Sequence, residues 1–152
     1  MIPTKQAQQH GFYAIECHGD FLRIFVAESS NEELVKAYQQ EMRQAIAKLS
    51  CRHWGVHLVV MGEALMTQDA TERLIRAARA QMAQGRCCTA IELRNPQARA
   101  LQKNFWETIY RQAGLKCAVL PDEAAAVAWI REQSRLADQA ADGLSRNTTS
   151  PR

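Results

Sequence analysis

The stretch Trp54-Gly55-Val56-His57-Leu58-Val59-Val60-Met61 decides the fold. It is a nearly continuous apolar run, rich in valine, with Gly55 near its start and Gly62 just past its end. That is the pattern of a strand covered on both faces. Upstream, residues 12–17 suit one strand, and Phe21, Arg23 and Phe25 alternate with Leu22, Ile24 and Val26 in the next. His18-Gly19-Asp20 lies between them, and Gly-Asp signals a tight hairpin, so these two strands are antiparallel neighbours. Ser30 followed by Glu33 matches a capping box. Leu34, Tyr38, Met42, Ala45 and Leu49 then recur at helical spacing.

Downstream, the loop from Gly62 to Asp69 leads into a second helix that Thr67 or Asp69 caps. This helix carries Leu74, Ile75, Ala78 and Met82 and stops near Gly85. Residues 87–93 read as a strand. Asn95-Pro96 starts a third helix, because Asn caps and Pro tolerates the first helical position. That helix holds Leu101, Phe105, Ile109 and Ala113, with Gly114 placed to end it. A short strand over 115–120 precedes Pro121-Asp122-Glu123 and a fourth helix with Ala125, Ala128, Trp129 and Ile130. The order is ββαβαβαβα, an α/β domain with a mixed sheet of about five strands and four helices over residues 11–135. Residues 1–10 form a loose polar lead, and the Ala, Asp, Ser, Asn and Thr of 136–152 read as a flexible tail.

A chain of 152 residues, 47% apolar and 23% charged, is one domain that can bury a core without metals or disulfides. The net charge of +3 is too mild to imply a nucleic-acid partner. The run Val56–Met61, interrupted by His57, falls far short of the roughly 18 residues of a membrane span. Met1 to Gln6 lacks the apolar stretch of a secretory signal. The expected location is therefore the cytoplasm, with the five cysteines as reduced thiols.

These features resemble the STAS domains, the family of sulfate transporters and anti-sigma-factor antagonists, and especially its SpoIIAA-like members. The resemblance rests on the Gly19-Asp20 hairpin, the strand from Trp54 to Met61, and the loop Leu65-Met66-Thr67-Gln68-Asp69 entering a helix. Its most recognisable piece is the closing segment Leu120-Pro121-Asp122-Glu123-Ala124-Ala125-Ala126-Val127-Ala128-Trp129-Ile130. It implies a bacterial-type regulatory or adaptor domain without enzymatic activity, which binds a protein partner at the start of its second helix. In the antagonists a serine of an Asp-Ser-Ser-Gly motif is phosphorylated there. This sequence reads Thr67-Gln68-Asp69-Ala70-Thr71, so the serine is missing and Asp69 falls near its place. A phosphate on Thr67 or Thr71 would meet the Asp69 charge. The implied contact residues are Leu65, Met66, Thr67, Asp69 and Thr71, together with Arg73 and Arg76. Some SpoIIAA-like sequences are also likened to Sec14-type carriers, which implies carriage of a small apolar ligand or lipid as the alternative.

Arg73, Arg76 and Arg79 recur on the second helix, with Arg86 just beyond, as a broad basic face suited to solvent or else to an acidic protein or an anionic lipid surface. In the third helix, core packing accounts for Phe105 and Ile109. Trp106 and Tyr110 read first as further core packing, with a partner groove, a homodimer patch or the mouth of an apolar pocket as the alternative. Cys87 and Cys88 are adjacent in a strand and so point to opposite faces. Like Cys17 and Cys117 they read as small buried hydrophobes. Cys51, beside Arg52 and His53, is the candidate for a reactive thiol or redox sensor. Cys51, His53 and His57 do not make a metal site, because residues four apart on a strand stand about 13 Å from each other. No nucleotide-binding glycine loop or nucleophile elbow is present, Glu63 and Glu92 stand singly, and no cofactor is implied.

Overall fold

The central strand of a five-stranded sheet is the apolar run Trp54–Met61. The computed structural model describes residues 11–148, with side chains described through Ser145. The strands are β1 (Phe12–Cys17), β2 (Phe21–Ala27), β3 (Trp54–Met61), β4 (Arg86–Arg94) and β5 (Lys116–Val119), lying side by side in chain order. β1 is antiparallel to β2 and every other pair is parallel. The helices are α1 (Glu32–Ala47), α2 (Gln68–Met82), α3 (Arg99–Ala113) and α4 (Glu123–Thr148). The architecture is thus a mixed α/β sheet in the expected order, ββαβαβαβα.

Strand alternation divides the core in two. Leu22, Ile24, Trp54, Val56, Leu58, Val60, Ile91 and Leu93 pack with α1, α2 and α3 in the larger cluster. Phe21, Cys88 and Ala90 face α4, which contributes Ala126 and Ile130 to a smaller one. β3 is buried along almost its whole length because it lies under helices on both sides. The hairpin forms at Gly19-Asp20, where the His18 amide donates to the Phe21 carbonyl at 2.9 Å.

Several boundaries differ from the sequence reading. Asn31, not Ser30, caps α1, its Oδ1 accepting from the Leu34 amide at 2.9 Å. Ser30 is instead drawn into a parallel bridge with Met66. Thr67 is the cap of α2. Asn95 does not cap α3: it takes a left-handed conformation (φ 49°), which Asn tolerates, and turns the chain out of β4. α3 then begins at Arg99 without a side-chain cap and ends at Gly114 in the left-handed conformation that glycine favours.

The expected flexible tail from 136 is helical through Thr148. Its alanine, glutamine and leucine are good helix formers. His53 Nδ1 lies 2.6 Å from Asp138 Oδ1, and Arg52 donates to Asp142 at 3.2 Å, which ties that stretch to the body. The lead over 1–10 and the last residues of the tail, 149–152, lie outside the described residues.

A second correction concerns the paired cysteines. Trp54 pairs with Arg86 but Gly55 pairs with Cys88, so Cys87 is the extra residue of a β-bulge. The bulge turns both thiols toward α4 instead of to opposite faces, with the sulfurs 3.9 Å apart. Gly55 makes the space: a Cβ there would fall 2.6 Å from Cys88 Sγ and 2.7 Å from Ile130 Cγ2. A Gly55→Val substitution is therefore expected to push α4 off the sheet and cost about 1–3 kcal/mol. Urea unfolding measures the cost, and an unchanged midpoint would show that the gap closes without strain.

Candidate functional site

The loop between β3 and α2 stands at the rim where the parallel strands end. Its backbone is tied down from both sides. The Ser30 amide donates to the Leu65 carbonyl at 2.8 Å, the Thr67 amide to the Ser30 carbonyl at 3.1 Å, and the Gly62 amide to the Arg94 carbonyl at 2.8 Å. Thr67 Oγ1 accepts from the Ala70 amide at 3.2 Å, and Thr71 Oγ1 donates to the Thr67 carbonyl at 2.9 Å. Leu65 is 38% exposed, and Thr67, Gln68 and Asp69 are exposed with it. Met66 and Thr71 are half-buried. Asp69 sits in the first turn of α2, where a carboxylate complements the helix dipole.

The arginines do not form one open basic face. Arg73 is held by Glu32 at 3.0 Å and Gln39 at 3.2 Å, both from α1. Arg79 donates to the Gln112 carbonyl of α3 at 2.7 Å. Arg76 is exposed. Arg86 is buried, donating to Gln81 at 2.7 Å and Thr89 at 2.8 Å with its guanidinium over the Tyr110 ring. Two of these side chains thus bind α2 to its neighbours, and a third lies in the core.

Trp106, Ile109 and Tyr110 are buried in the core, and Phe105, expected there too, is half-buried against it. Trp106 Nε1 turns inward to donate to Gln102 Oε1 at 3.2 Å, which gives the indole a partner inside the core. With Tyr13, Leu34, Tyr38 and Met66, Trp106 and Tyr110 line an apolar cavity of about 30 Å³ between the helices and the sheet. That is room for a single small molecule the size of water, against the roughly 300–1,000 Å³ of ligand pockets.

The face under α4 carries a polar network that single residues in the sequence did not reveal. Arg23 on β2, His57 on β3 and Glu92 on β4 project to the same side. Arg23 Nε donates to His57 Nδ1 at 3.0 Å, which leaves the proton of the ring on Nε2, donated to Glu92 Oε1 at 2.8 Å. Arg94 donates to the other Glu92 oxygen. Arg23 also pairs with Glu123 at the start of α4 at 2.9 Å and with Glu16 of β1 at 3.4 Å. Burial pushes the fully enclosed His57 imidazole below its ordinary value of 6.5, which Arg23 reinforces against the opposing pull of Glu92. Burial acts to raise Glu92, but hydrogen bonds from Arg94 and His57 outweigh it and hold the carboxylate below its usual range. The legible signal was an arginine, a histidine and a glutamate, each inside an apolar strand pattern.

Cys51 is the wrong thiol to single out. Burial raises its pKa, and Asp20 and Asp138 add to the rise. Cys17 is exposed rather than buried, because β1 is an edge strand, and Cys117 is half-buried and also raised by burial. Among the described residues no cluster of three or more His, Cys, Asp or Glu side chains is arranged for a metal ion. Among them, no helix is long and apolar enough to cross a membrane.

No protein-family model matches the sequence, and no curated protein matches it. A solved structure shares its fold: an uncharacterised protein of the DUF3478 family with a SpoIIAA-like fold, from Shewanella loihica PV-4. The two align with a TM-score of 0.55 at 11% identity, over 86% of this chain and 98% of that one. The chain has a SpoIIAA-like α/β fold. At that identity the likeness carries architecture and not activity.

The network makes stability depend on pH with a definite sign. The unfolded chain takes up the His57 proton near pH 6.5 and the folded chain resists it, so stability is full above that pH and falls below it. Glu92 adds a further loss as pH drops below about 4.5. Urea titrations from pH 7.5 to 5 should show the decline, and His57→Gln should flatten it. An unchanged slope in the variant would remove His57 as its source. Arg23→Met, which strips His57 Nδ1 of its donor, is expected to cost about 1–3 kcal/mol in the same assay.

Proposed function

We propose that this SpoIIAA-like domain is a non-catalytic regulatory or adaptor module that docks a protein partner through the loop Leu65–Thr71 and the exposed side of α2. The observation that carries this reading is the combination of an ordered backbone with open side chains. Ser30 fixes the loop from one side and Thr67 caps the helix, while Leu65, Gln68, Asp69 and Arg76 stay exposed. A surface already held in one conformation loses little entropy when a partner binds. Asp69 supplies a permanent negative charge where the resembling antagonists carry a phosphorylatable serine, so binding here is constitutive in charge. Arg73 and Arg79 act indirectly, by fixing α2 between α1 and α3. Carriage of a lipid is the weaker reading, because the cavity beside Trp106 and Tyr110 would have to expand about tenfold to reach the pocket range.

The test combines a photo-crosslinking residue at Gln68 with a surface variant, Leu65→Asp/Asp69→Lys/Arg76→Glu. All three positions are exposed. The largest expected cost is about 1–2 kcal/mol, where Lys replaces the Asp69 carboxylate at the start of α2, so urea unfolding is run alongside to show that the variant is folded. The crosslinker should trap a discrete partner in extract of the native host, and the triple variant should lose it. Equal capture by a folded triple variant would place the docking surface elsewhere.

A further inference from the structure

At the other end of the sheet, where β3 and β4 begin, the bulge gathers two thiols under the middle of α4. Cys88 Sγ is enclosed between Gly55 and Ile130 and is fully buried. Cys87 is half-buried, its Sγ 3.4 Å from the Trp54 carbonyl and 3.7 Å from Ser134 Oγ. His53, fixed by Asp138, acts on it through space. Two outcomes are open to such a pair, and geometry separates them. Disulfide closure needs a sulfur separation of about 2.05 Å and usually Cα atoms about 4.4–6.8 Å apart. Adjacent residues across a trans peptide are only about 3.8 Å apart, so a bond between these two would be strained. Sharing one bound atom asks much less. Two thiolates on a pyramidal trivalent centre with bonds of about 2.3 Å and an angle of about 95° stand roughly 3.4 Å apart. The sulfurs, now 3.9 Å apart, reach that spacing with a small side-chain shift, whereas a disulfide needs them to approach to about 2.05 Å.

We propose that Cys87 and Cys88 form a dithiol site for a soft, thiophilic centre that two thiolates satisfy, a trivalent arsenical above all. A site demanding three or four protein ligands does not fit, since no third ligand joins the two sulfurs among the described residues. The electrostatics favour attack by the more accessible sulfur. In the neutral pair Cys87 Sγ donates to Cys88 Sγ. Ionisation of Cys87 turns that bond round, and the Cys88 thiol, with Ser134 and His53 adding to the effect, holds the Cys87 pKa down at about 6 against the cost of burial. Cys88 is correspondingly raised and keeps its proton until the second step. With an aryl arsenoxide, the Cys87 thiolate bonds to arsenic, and the arsenoxide oxygen takes a proton from solvent to become hydroxyl. Cys88 sulfur then forms the second bond as its thiol proton passes to that hydroxyl, which leaves as water. Arsenic remains trivalent, so no oxidant or reductant is needed. This site lies at the opposite rim from the docking corner and does not depend on that reading.

Phenylarsine oxide is the probe, titrated into the full chain and followed by intact mass. One phenylarsenic adduct is expected, stable to a monothiol and released by a dithiol. The variant Cys17→Ser/Cys51→Ser/Cys117→Ser should retain it. Cys87→Ser should weaken binding by roughly 100-fold, the loss that follows when a second, tethered contact is removed. Cys88→Ala should do the same, but its buried position makes the Cys87 variant, with its unfolding midpoint measured alongside, the deciding one. Wild-type affinity in folded Cys87→Ser, loss of the adduct in the triple serine variant, or release by the monothiol would each overturn the proposal.

Discussion

The imidazole of His57 is the constraint around which the sheet is organised. It sits fully enclosed on the central strand, and both ring nitrogens are occupied, one by Arg23 and the other by Glu92. Because Arg23 can only donate, the ring must be neutral with its proton on Nε2. A slip of one residue in β2 or β4 would turn Arg23 or Glu92 into the apolar core beneath α1, α2 and α3. The network therefore fixes the register of three strands at once. Its net worth lies in that uniqueness, since burying ionised groups costs most of what their pairing returns.

α4 is placed by the same chemistry. Its first residue, Glu123, pairs with Arg23 near the end of the sheet where the loops emerge. About two turns later Ile130 packs against Gly55, and beyond it Ser134 and Asp138 reach Cys87 and His53 at the opposite end. One helix thus covers both the charge network and the thiol pair. Polar anchors at either end and a small apolar patch between them hold it where its own apolar surface is modest.

Ionisable groups do converge in this molecule, which ordinarily invites a catalytic reading. Here they are closed upon themselves. His57 has no free nitrogen to move a proton, Arg23 is divided among His57, Glu16 and Glu123, and Glu92 accepts from two donors. The open, ordered surface lies instead at the loop before α2. A fold of this kind is well suited to presenting a rigid corner, because loops at the rim are mobile only to the extent that their backbone lacks partners.

The sequence by itself determined the strands, their order and the hairpin. Those follow from local rules: an unbroken apolar run for β3, Gly-Asp for the turn, and glycine at the end of α3. It also offered Thr67 or Asp69 as the cap of α2, and Thr67 proved to be the cap. Tertiary structure alone decided what distant segments did to one another. The bulge that sets Cys87 beside Cys88 exists only in the pairing of β4 with β3. Arg86 reads as surface charge until Gln81, Thr89 and Tyr110 close around it. Ser30 lost its capping role to Asn31 because Met66, 36 positions away, offered it a bridge. Periodicity records which face of an element is apolar, whereas hydrogen-bond partners across strands depend on register, and register is a property of the assembled sheet.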